Sequence, residues 1–403
     1  MSELIENAVD AEASPPLTHV PIVVAGQELL LFDESGPLID AMLADIRQAR
    51  QRVWIESYIF AGDAAGAAIG QALKERAAAG VDCRLMYDAL GSNDTPDEFF
   101  ADLEQAGVHV HAFHTLFHAF LQRSFFRVLN QRNHRKLLVI DDRVAFFGGM
   151  NIVDQRGIQS PDDAKARHLP TSAGWRDVHA RLVGSQQAEV ADAFDRLWRQ
   201  KLRQTRLRSR RWQLHEMLQA RHEGIWFFDS RPDVRFRRAA RVFVPLIRQA
   251  QTSITLSMAY FIPQGAVLRA LLRARRRGVS IHVIIPGQSD VRLVQWATRY
   301  LYDKLLRRGV HIYERENQML HSKVMVVDGV WSVIGSCNLD PRSLRWNLEF
   351  LSVVRSESLA QAVSSICDYE IKHSRRVRLR DWHALRWWQR LLDRMAWSLR
   401  KWL

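Results

Sequence analysis

The chain has 403 residues, 47% of them hydrophobic and 25% charged, which is the composition of an ordinary globular protein with room for two or three domains. The formal net charge of +13 favours a polyanionic partner, either nucleic acid or an anionic membrane surface. The three cysteines, Cys83, Cys337 and Cys367, are too few and too far apart to suggest a disulfide framework or a zinc site. No apolar run approaches the roughly 20 residues that span a bilayer, so any membrane association is expected to be peripheral.

The N-terminal segment is acidic and lacks an apolar core, so residues 1–18 are expected to form a disordered tail and not a signal peptide. The segment that begins at Ile46 is then repeated from Ile247. Both copies read as the end of a helix, a strand, an amphipathic helix, Gly-Val and a second strand. A further shared piece lies at 103–113 and 305–315. The repeat predicts two similar β-α-β-α-β-β units, and therefore an α/β fold whose sheets are covered by helices.

The first copy contains an insert at 114–133 that mixes four phenylalanines with three arginines. Such a segment can dip into lipid headgroups or can act as a lid or packing helix, and both interpretations stay open. Four histidines lie in or near this insert: His109, His111, His114 and His118. No Cys or carboxylate joins them, so we interpret them as ordinary histidines and predict no metal site.

Each copy ends in the same motif, HRKLLVIDDRVAFFGGMN at 134–151 and HSKVMVVDGVWSVIGSCN at 321–338. All intervals agree between the copies, which align as His134, Lys136, Asp141, Gly148, Gly149 and Asn151 with His321, Lys323, Asp328, Gly335, Ser336 and Asn338. The β-branched run in each motif predicts a buried strand, and alternation along a strand places His and Lys on one face. A tight turn at the Asp leads to a second strand, whose small residues let backbone approach a ligand.

Two such units brought together would surround a phosphate with two imidazoles, two ammonium groups and two amides. The lysines Lys136 and Lys323 would neutralise the phosphoryl oxygens, and the asparagines Asn151 and Asn338 would act as neutral donors. One imidazole can attack phosphorus while the other protonates the leaving alkoxide and then deprotonates the incoming hydroxyl. Because the lysines already supply positive charge, no metal or other cofactor is expected.

A nucleophilic imidazole needs a partner that fixes its tautomer, and one carboxylate follows each motif: Asp177 in WRDVH and Glu349 in NLEF. The aspartates Asp141 and Asp328 complete the motifs at the strand ends. We interpret them as structural residues that brace turn amides and do not touch substrate.

A basic run at 201–212 reads as a solvated face that could also attract anionic lipid. At the C-terminus, apolar residues recur at steps of three and four: Leu385, Trp388, Leu392, Met395, Leu399 and Trp402. Arginines and a lysine flank this stripe, which is typical of a basic amphipathic helix at a membrane interface. A helix docked on the protein's own core is the alternative.

The paired motifs, together with ESYIF, DALGS, AYFIP, WRDVH and GSCNLDPRSLRWNLE, resemble the phospholipase D superfamily and, within it, bacterial cardiolipin synthases of the B type. The resemblance covers roughly residues 20–355. It implies two phospholipase D-like halves, each a β-sheet flanked by helices, related by a pseudo-twofold axis with one active site between them. We assign 1–18 to the tail, 19–215 and 216–372 to the halves, and 373–403 to the C-terminal helix.

The resemblance also implies the reaction, which is phosphatidyl transfer between two phosphatidylglycerol molecules through a phosphohistidine, releasing glycerol. His134, Lys136, Asp141, His321, Lys323 and Asp328 form the implied catalytic motifs, with His134 as nucleophile and His321 as acid and base. The expected partners are phospholipids on an anionic surface, at the inner membrane and on its cytoplasmic side, with no nucleic acid. Hydrolysis by a phospholipase D and a nuclease activity are the alternatives.

Overall fold

Two eight-stranded mixed sheets form the framework of the computed structural model, which describes residues 18–114, 130–154, 174–199, 207–230, 238–384 and 386–400. The strands of the first sheet are β1 (Ile22–Val24), β2 (Gln27–Glu34), β3 (Arg52–Ser57), β4 (Asp82–Asp88), β5 (His109–Phe113), β6 (Leu137–Ile140), β7 (Val144–Gly148) and β8 (Arg176–Val183). Those of the second are β9 (Gly224–Ser230), β10 (Ser253–Met258), β11 (Ser280–Pro286), β12 (His311–Arg315), β13 (Lys323–Val327), β14 (Trp331–Gly335), β15 (Glu349–Arg355) and β16 (Ser374–Val377).

Helices cover both sheets. In the first half and the connection they are α1 (Ser35–Arg47), α2 (Ala64–Ala78), α3 (Asp97–Gln105), α4 (Gln187–Trp198) and α5 (Leu207–Gln219). In the second half they are α6 (Arg238–Gln249), α7 (Gly265–Arg276), α8 (Arg292–Arg299), α9 (Tyr302–Leu306), α10 (Pro341–Arg345), α11 (Glu357–Lys372), α12 (Leu379–His383) and α13 (Trp387–Ser398). Within the described ranges, none of the helices combines the length and the apolar composition needed to cross a bilayer.

The two sheets have equivalent strand orders. The first runs β1-β2-β8-β7-β6-β3-β4-β5. The second, written in the corresponding direction, runs β9-β15-β14-β13-β10-β11-β12-β16, so that β9 takes the place of β2. In each sheet the first three repeat strands are parallel and the two motif strands are antiparallel. The predicted fold class, two similar α/β halves, is therefore confirmed. The additional edge strands are β1 in one half and β16 in the other.

Each motif forms a buried hairpin whose turn begins at its aspartate. Asp141 and Asp328 have positive φ angles of 49° and 54°, and their carboxylates accept hydrogen bonds from three successive backbone amides. The last of the three amides belongs to the first residue of β3 or β10, so each aspartate ties the motif hairpin to the strand beside it. Both aspartates stand at the opposite ends of β6 and β13 from the motif histidines.

A shared core joins the halves. One hydrophobic cluster contains buried side chains of both sheets, among them Phe147 and Leu182 from the first and Phe227, Val324 and Phe350 from the second. The Phe227 and Phe350 rings stack at 5.6 Å, and Phe147 lies edge-on to Phe227 at 5.3 Å. Burial of these apolar faces stabilises one relative placement of the halves.

The structure differs from the sequence predictions at two places. A continuous helix, α5, crosses the predicted boundary between the halves at 215–216. The segment 373–403, predicted as one helix, contains edge strand β16 and the separate helices α12 and α13. Three segments that carried sequence predictions lie wholly or mostly outside the described residues. They are the N-terminal tail up to residue 17, the insert from 115 to 129, and the start of the basic run at 201–206.

Candidate active site

The two motif histidines lie where the halves meet, and the backbone sets their register. His134 donates its amide hydrogen to the Leu348 carbonyl (2.9 Å), one residue before Glu349. In the other half, His321 donates to the Arg176 carbonyl (2.7 Å), one residue before Asp177. Each histidine is thus held against the opposite half, next to the carboxylate of that half.

The side chains repeat this crossed arrangement. His134 Nδ1 lies 3.1 Å from Glu349 Oε2 and 3.0 Å from the Ser336 carbonyl oxygen. His321 Nδ1 lies 2.7 Å from Asp177 Oδ2. Because a carbonyl oxygen can only accept, the proton of His134 is on Nδ1 and the lone pair is on Nε2. The structure thus brings together both predicted carboxylates with the two histidines, and each carboxylate contacts the histidine of the other half.

The paired small residues of the motifs make room for these carboxylates. A Cβ added at Gly149 would lie 2.1 Å from Asp177 Oδ1. At the equivalent position of the second half, the Ser336 hydroxyl donates to Glu349 Oε2. At Gly149 the space that a side chain would fill is taken by a carboxylate of the protein itself. The sequence interpretation, that small residues admit the backbone to a ligand, stays a prediction.

Both lysines are buried beside the histidines. Lys136 Nζ donates to the His134 carbonyl (2.8 Å), and Lys323 Nζ lies 3.2 Å from Asp177 Oδ2. Burial and the charge of Lys323 lower the pKa of Lys136 to about 7. Burial also lowers the pKa of Lys323, although Asp177 opposes that effect. An anionic phosphodiester between the two ammonium groups would raise both pKa values and offset the cost of burying two like charges.

The two histidines differ in their electrostatic surroundings. Burial, followed by Lys136, Lys323 and His321, lowers the pKa of His134 well below its ordinary value. Burial and Lys323 also lower the pKa of His321, but its hydrogen bond to Asp177 opposes the change. Each histidine titrates in the field of groups from both halves, so the two motifs form a single electrostatic site.

The pKa values of the two carboxyl groups are shifted in opposite directions. Burial raises the pKa of Glu349 to about 8, against the opposing charge of Lys136. Burial acts on Asp177 as well, but the Lys323 charge and the His321 hydrogen bond outweigh it and lower the pKa of Asp177. At neutral pH, Asp177 is therefore an anion, whereas Glu349 is mostly protonated.

The asparagines of the two motifs are buried and are held in equivalent ways. The Asn151 side-chain oxygen accepts from the Ile59 amide, and that of Asn338 accepts from the Tyr260 amide, both at 3.2 Å. Holding the oxygen in this way fixes the amide plane and leaves Nδ2 available as a donor. Tyr58 lies beside the first motif, with its ring centre 5.1 Å from that of His134 and 5.3 Å from Lys136 Nζ.

Sequence reasoning missed the buried ion pairs that hold the residues around His134. Arg135 forms a two-point contact with Glu56, and Arg132 pairs with Asp88 through two nitrogens. Asn133 links the two pairs, because its amide contacts Asp88 and its side chain contacts Glu56. Glu56 and Asp88 are the first residues of ESYIF and DALGS. Their occurrence in these two family-like segments was the sequence feature that could have pointed to them.

The four histidines near the insert form no shared site in the described part. His111 lies edge-on to Trp198 at 5.9 Å, and His114 Nδ1 lies 3.0 Å from the Gln131 carbonyl oxygen. His118 lies outside the described residues. Among the described residues, no group of three or more His, Cys, Asp or Glu side chains is arranged to hold a metal ion.

Comparison with known proteins identifies the family. The model of the family "Cardiolipin synthase, PLD-like domain" matches residues 42–168 and 243–370. The major cardiolipin synthase ClsA of Bacillus subtilis (strain 168) is 30% identical over 88% of this chain and 71% of its own length. Cardiolipin synthase A of Pseudomonas putida (strain GB-1) is 31% identical over 93% of this chain and 75% of its own length.

A solved structure shows the same fold. The crystal structure of phosphatidylserine synthase from Haemophilus influenzae Rd KW20 superposes with a TM-score of 0.67, covering 94% of this chain and 95% of that chain at 14% identity. At this identity the likeness concerns the fold alone. The family model, however, spans both halves, and each half contributes one motif to the site. The chain belongs to the cardiolipin synthase family of phospholipase D-like proteins.

Proposed function

We propose that the protein is a cardiolipin synthase that transfers the phosphatidyl group of one phosphatidylglycerol to the glycerol hydroxyl of a second and releases glycerol. Family membership supports this assignment, and one observation carries the mechanism: each motif histidine is oriented by a carboxylate of the opposite half. That crossed pairing gives one site with two imidazoles, as a two-step displacement at phosphorus requires.

His134 is the proposed nucleophile. Its Nδ1 proton is held by the Ser336 carbonyl, which cannot donate, and its pKa is lowered well below the ordinary value. The Nε2 lone pair is consequently available at neutral pH. Attack by Nε2 on phosphorus forms the N–P bond and breaks the bond to the leaving glycerol oxygen, giving a phosphohistidine.

His321 is the proposed acid and base. The anion Asp177 accepts from its Nδ1 and stabilises the imidazolium form, which can protonate the departing glycerol oxygen. The neutral ring that remains takes the proton of the incoming lipid hydroxyl. That oxygen then attacks phosphorus and displaces His134, so that two phosphatidylglycerols give one cardiolipin and one glycerol.

Charge neutralisation is assigned to Lys136 and Lys323, and neutral donation to the Nδ2 groups of Asn151 and Asn338. Because the two lysines supply positive charge beside the phosphoryl oxygens once an anionic substrate has raised their pKa values, we expect a chelator such as EDTA to leave the initial rate unchanged. The rate should be measured on soluble short-chain substrate, so that removal of divalent ions does not alter vesicles. Inhibition that added zinc reverses would contradict this expectation.

The choice between transfer and hydrolysis is tested by the products. Purified protein incubated with phosphatidylglycerol is expected to yield cardiolipin and glycerol, measured by mass spectrometry of the extracted lipids. Labelling the headgroup of the acceptor separately from the donor shows which molecule supplies the attacking hydroxyl. Phosphatidic acid without cardiolipin would refute the transfer proposal, since water would then be the acceptor.

We also infer peripheral association with an anionic membrane, on the cytoplasmic side of the inner membrane. The net charge of +13 and the phospholipid substrate favour this location. The basic, Trp-rich C-terminal segment is its proposed contact.

A further inference from the structure

Exposed apolar side chains are concentrated on two helices that pack against each other, α8 and α13. Elsewhere in the described ranges, the large apolar residues that reach solvent are Val20, Val23 and Leu90. We name as the α8–α13 face the set Val291, Leu293, Trp387, Trp388, Leu391, Met395 and Leu399. Trp387 is 75% exposed and Met395 is 57% exposed, although water is an unfavourable environment for both side chains.

Helix α13 is docked on the protein through its other side. Ala396 is buried, Trp397 stacks on Tyr300 at 5.0 Å, and Asp393 is buried with Arg299 at 3.8 Å. The helix therefore docks through Asp393, Ala396 and the partly buried Trp397, and turns its other apolar side chains outward. Core docking, one of the two sequence interpretations, is thus observed for one side of α13, and interfacial binding stays a prediction for the other side.

Positive charge surrounds this exposed stripe. Arg386, Arg390 and Arg394 occur along α13, and Arg292 begins α8 beside Val291. A cavity of about 720 Å³ between α13 and α9 is lined by Trp382, Trp387 and Leu391 together with Arg390, Arg394 and Lys304. Tryptophans interleaved with cations match the boundary of an anionic bilayer, where rings enter the headgroup layer and guanidinium groups meet phosphates.

The face is also linked to the active site. Asp290, which precedes the exposed Val291, accepts a hydrogen bond from the Tyr260 hydroxyl (2.7 Å). The Tyr260 amide in turn holds the side-chain oxygen of Asn338 (3.2 Å). The start of α8 is thus two hydrogen bonds away from a proposed phosphate-binding residue.

We propose that the α8–α13 face is the surface on which the protein binds an anionic phospholipid bilayer, with the active site beside the headgroups it uses. The proposal rests on the proposed function for its choice of bilayer and deepens it by adding α8 to the contact. A second copy of the chain is the other occupant that such a face could take, and the experiment separates the two.

The experiment measures cosedimentation with vesicles of phosphatidylglycerol and phosphatidylcholine in equal amounts. The triple variant Trp387→Ser, Leu391→Ser, Met395→Ser changes exposed side chains only, so the fold should survive. We expect it to weaken vesicle binding by at least about tenfold. Leu293→Ser, which lies on α8 and outside the C-terminal segment, should also weaken binding. Val20→Ser with Val23→Ser, which removes exposed apolar surface from the first half, should leave binding unchanged.

Three outcomes overturn the proposal. If the triple variant binds vesicles as well as the unaltered protein does, the α8–α13 face is not the membrane contact. If Leu293→Ser leaves vesicle binding unchanged, α8 is not part of that contact. A dimer that the triple variant converts to a monomer, measured by light scattering without vesicles, assigns the face to self-association. Activity on short-chain phosphatidylglycerol below its micelle concentration should stay unchanged in all variants. If the unaltered protein makes no product there but still binds vesicles through this face, the proposed function fails and the surface stands.

Discussion

His134→Ala is expected to abolish turnover with every phosphodiester, whatever its leaving group. The residual rate should be lower by at least about 10⁴-fold, because His134 is the group assigned to form the covalent intermediate. Acid-quenched reactions with a phosphorus-labelled donor should show labelled protein in the unaltered chain and none in this variant. Retained labelling would place the nucleophile elsewhere.

His321→Ala is expected to be equally inactive with phosphatidylglycerol but to differ with an activated substrate. Glycerol is a poor leaving group that needs a proton, whereas p-nitrophenolate leaves unaided. With a p-nitrophenyl phosphodiester, the variant should therefore release a burst of about one p-nitrophenolate per site and then stall as phosphohistidine. The reverse pattern, with the burst in His134→Ala, would exchange the two roles.

A matched control separates chemistry from folding in both variants. His222→Ala removes an exposed imidazole from the segment before β9, far in sequence from either motif. It should keep full activity, and all three proteins should give the same circular dichroism spectrum. A histidine variant that loses activity together with its spectrum would say nothing about either role, and His→Gln substitutions at the same positions then replace it.

The fold could be predicted because the two motifs have identical intervals between their residues, and a single sequence is enough to show this. His134 and Lys136, in register with His321 and Lys323, predicted two equivalent hairpins and hence two equivalent sheets. The repeat did not predict strand β9, which occupies the place of β2 in the second sheet, because the repeated segments begin at Ile46 and Ile247, after both strands. Pairing with β15 supplies the place of β9 in the sheet. Edge strands depend on such tertiary partners more than on their own sequence.

The crossed pairing of histidine and carboxylate was beyond reach of the sequence. Asp177 and Glu349 were identified as orienting residues from their position after each motif. Which histidine each would contact depends on how the halves dock, and that is decided by an apolar interface with no periodic signature. The backbone bonds from His134 to Leu348 and from His321 to Arg176 fix the answer only in three dimensions.

The buried ion pairs were missed for a related reason. Charged residues in a sequence are usually solvated, so Arg135 and Glu56, separated by 79 positions, gave no sign of pairing. A buried pair like this one is costly to form and more costly to break, so it holds the segment around His134 in one position. A second network joins Arg176 to Asp33 and Glu370 beside Asp177.

Asp177→Asn is expected to be far more damaging than Glu349→Gln at neutral pH. Asp177 is an anion bonded to His321 and Lys323, so the amide removes a charge that stabilises the imidazolium. Loss of the orienting carboxylate in a comparable dyad lowers the rate by about 10⁴-fold. Glu349 is mostly protonated because burial raises its pKa to about 8, so the amide replaces a group that is already neutral. A loss within about tenfold is expected there.

The effect of Glu349→Gln on the rate is expected to depend on pH. Below about 8, Glu349 is protonated and resembles glutamine; above that pH it ionises and stabilises the positive charge that His134 acquires on attack. The rate of the unaltered protein relative to Glu349→Gln should therefore rise as the pH increases from about 6 to 9. The ratio to Asp177→Asn should not show this rise near pH 8, because Asp177 is ionised throughout. Initial rates on a soluble phosphodiester measure both ratios. A flat ratio for Glu349→Gln, or a milder loss in Asp177→Asn, would show that the two carboxylates do not have the different charge states on which the assignment of nucleophile and acid depends.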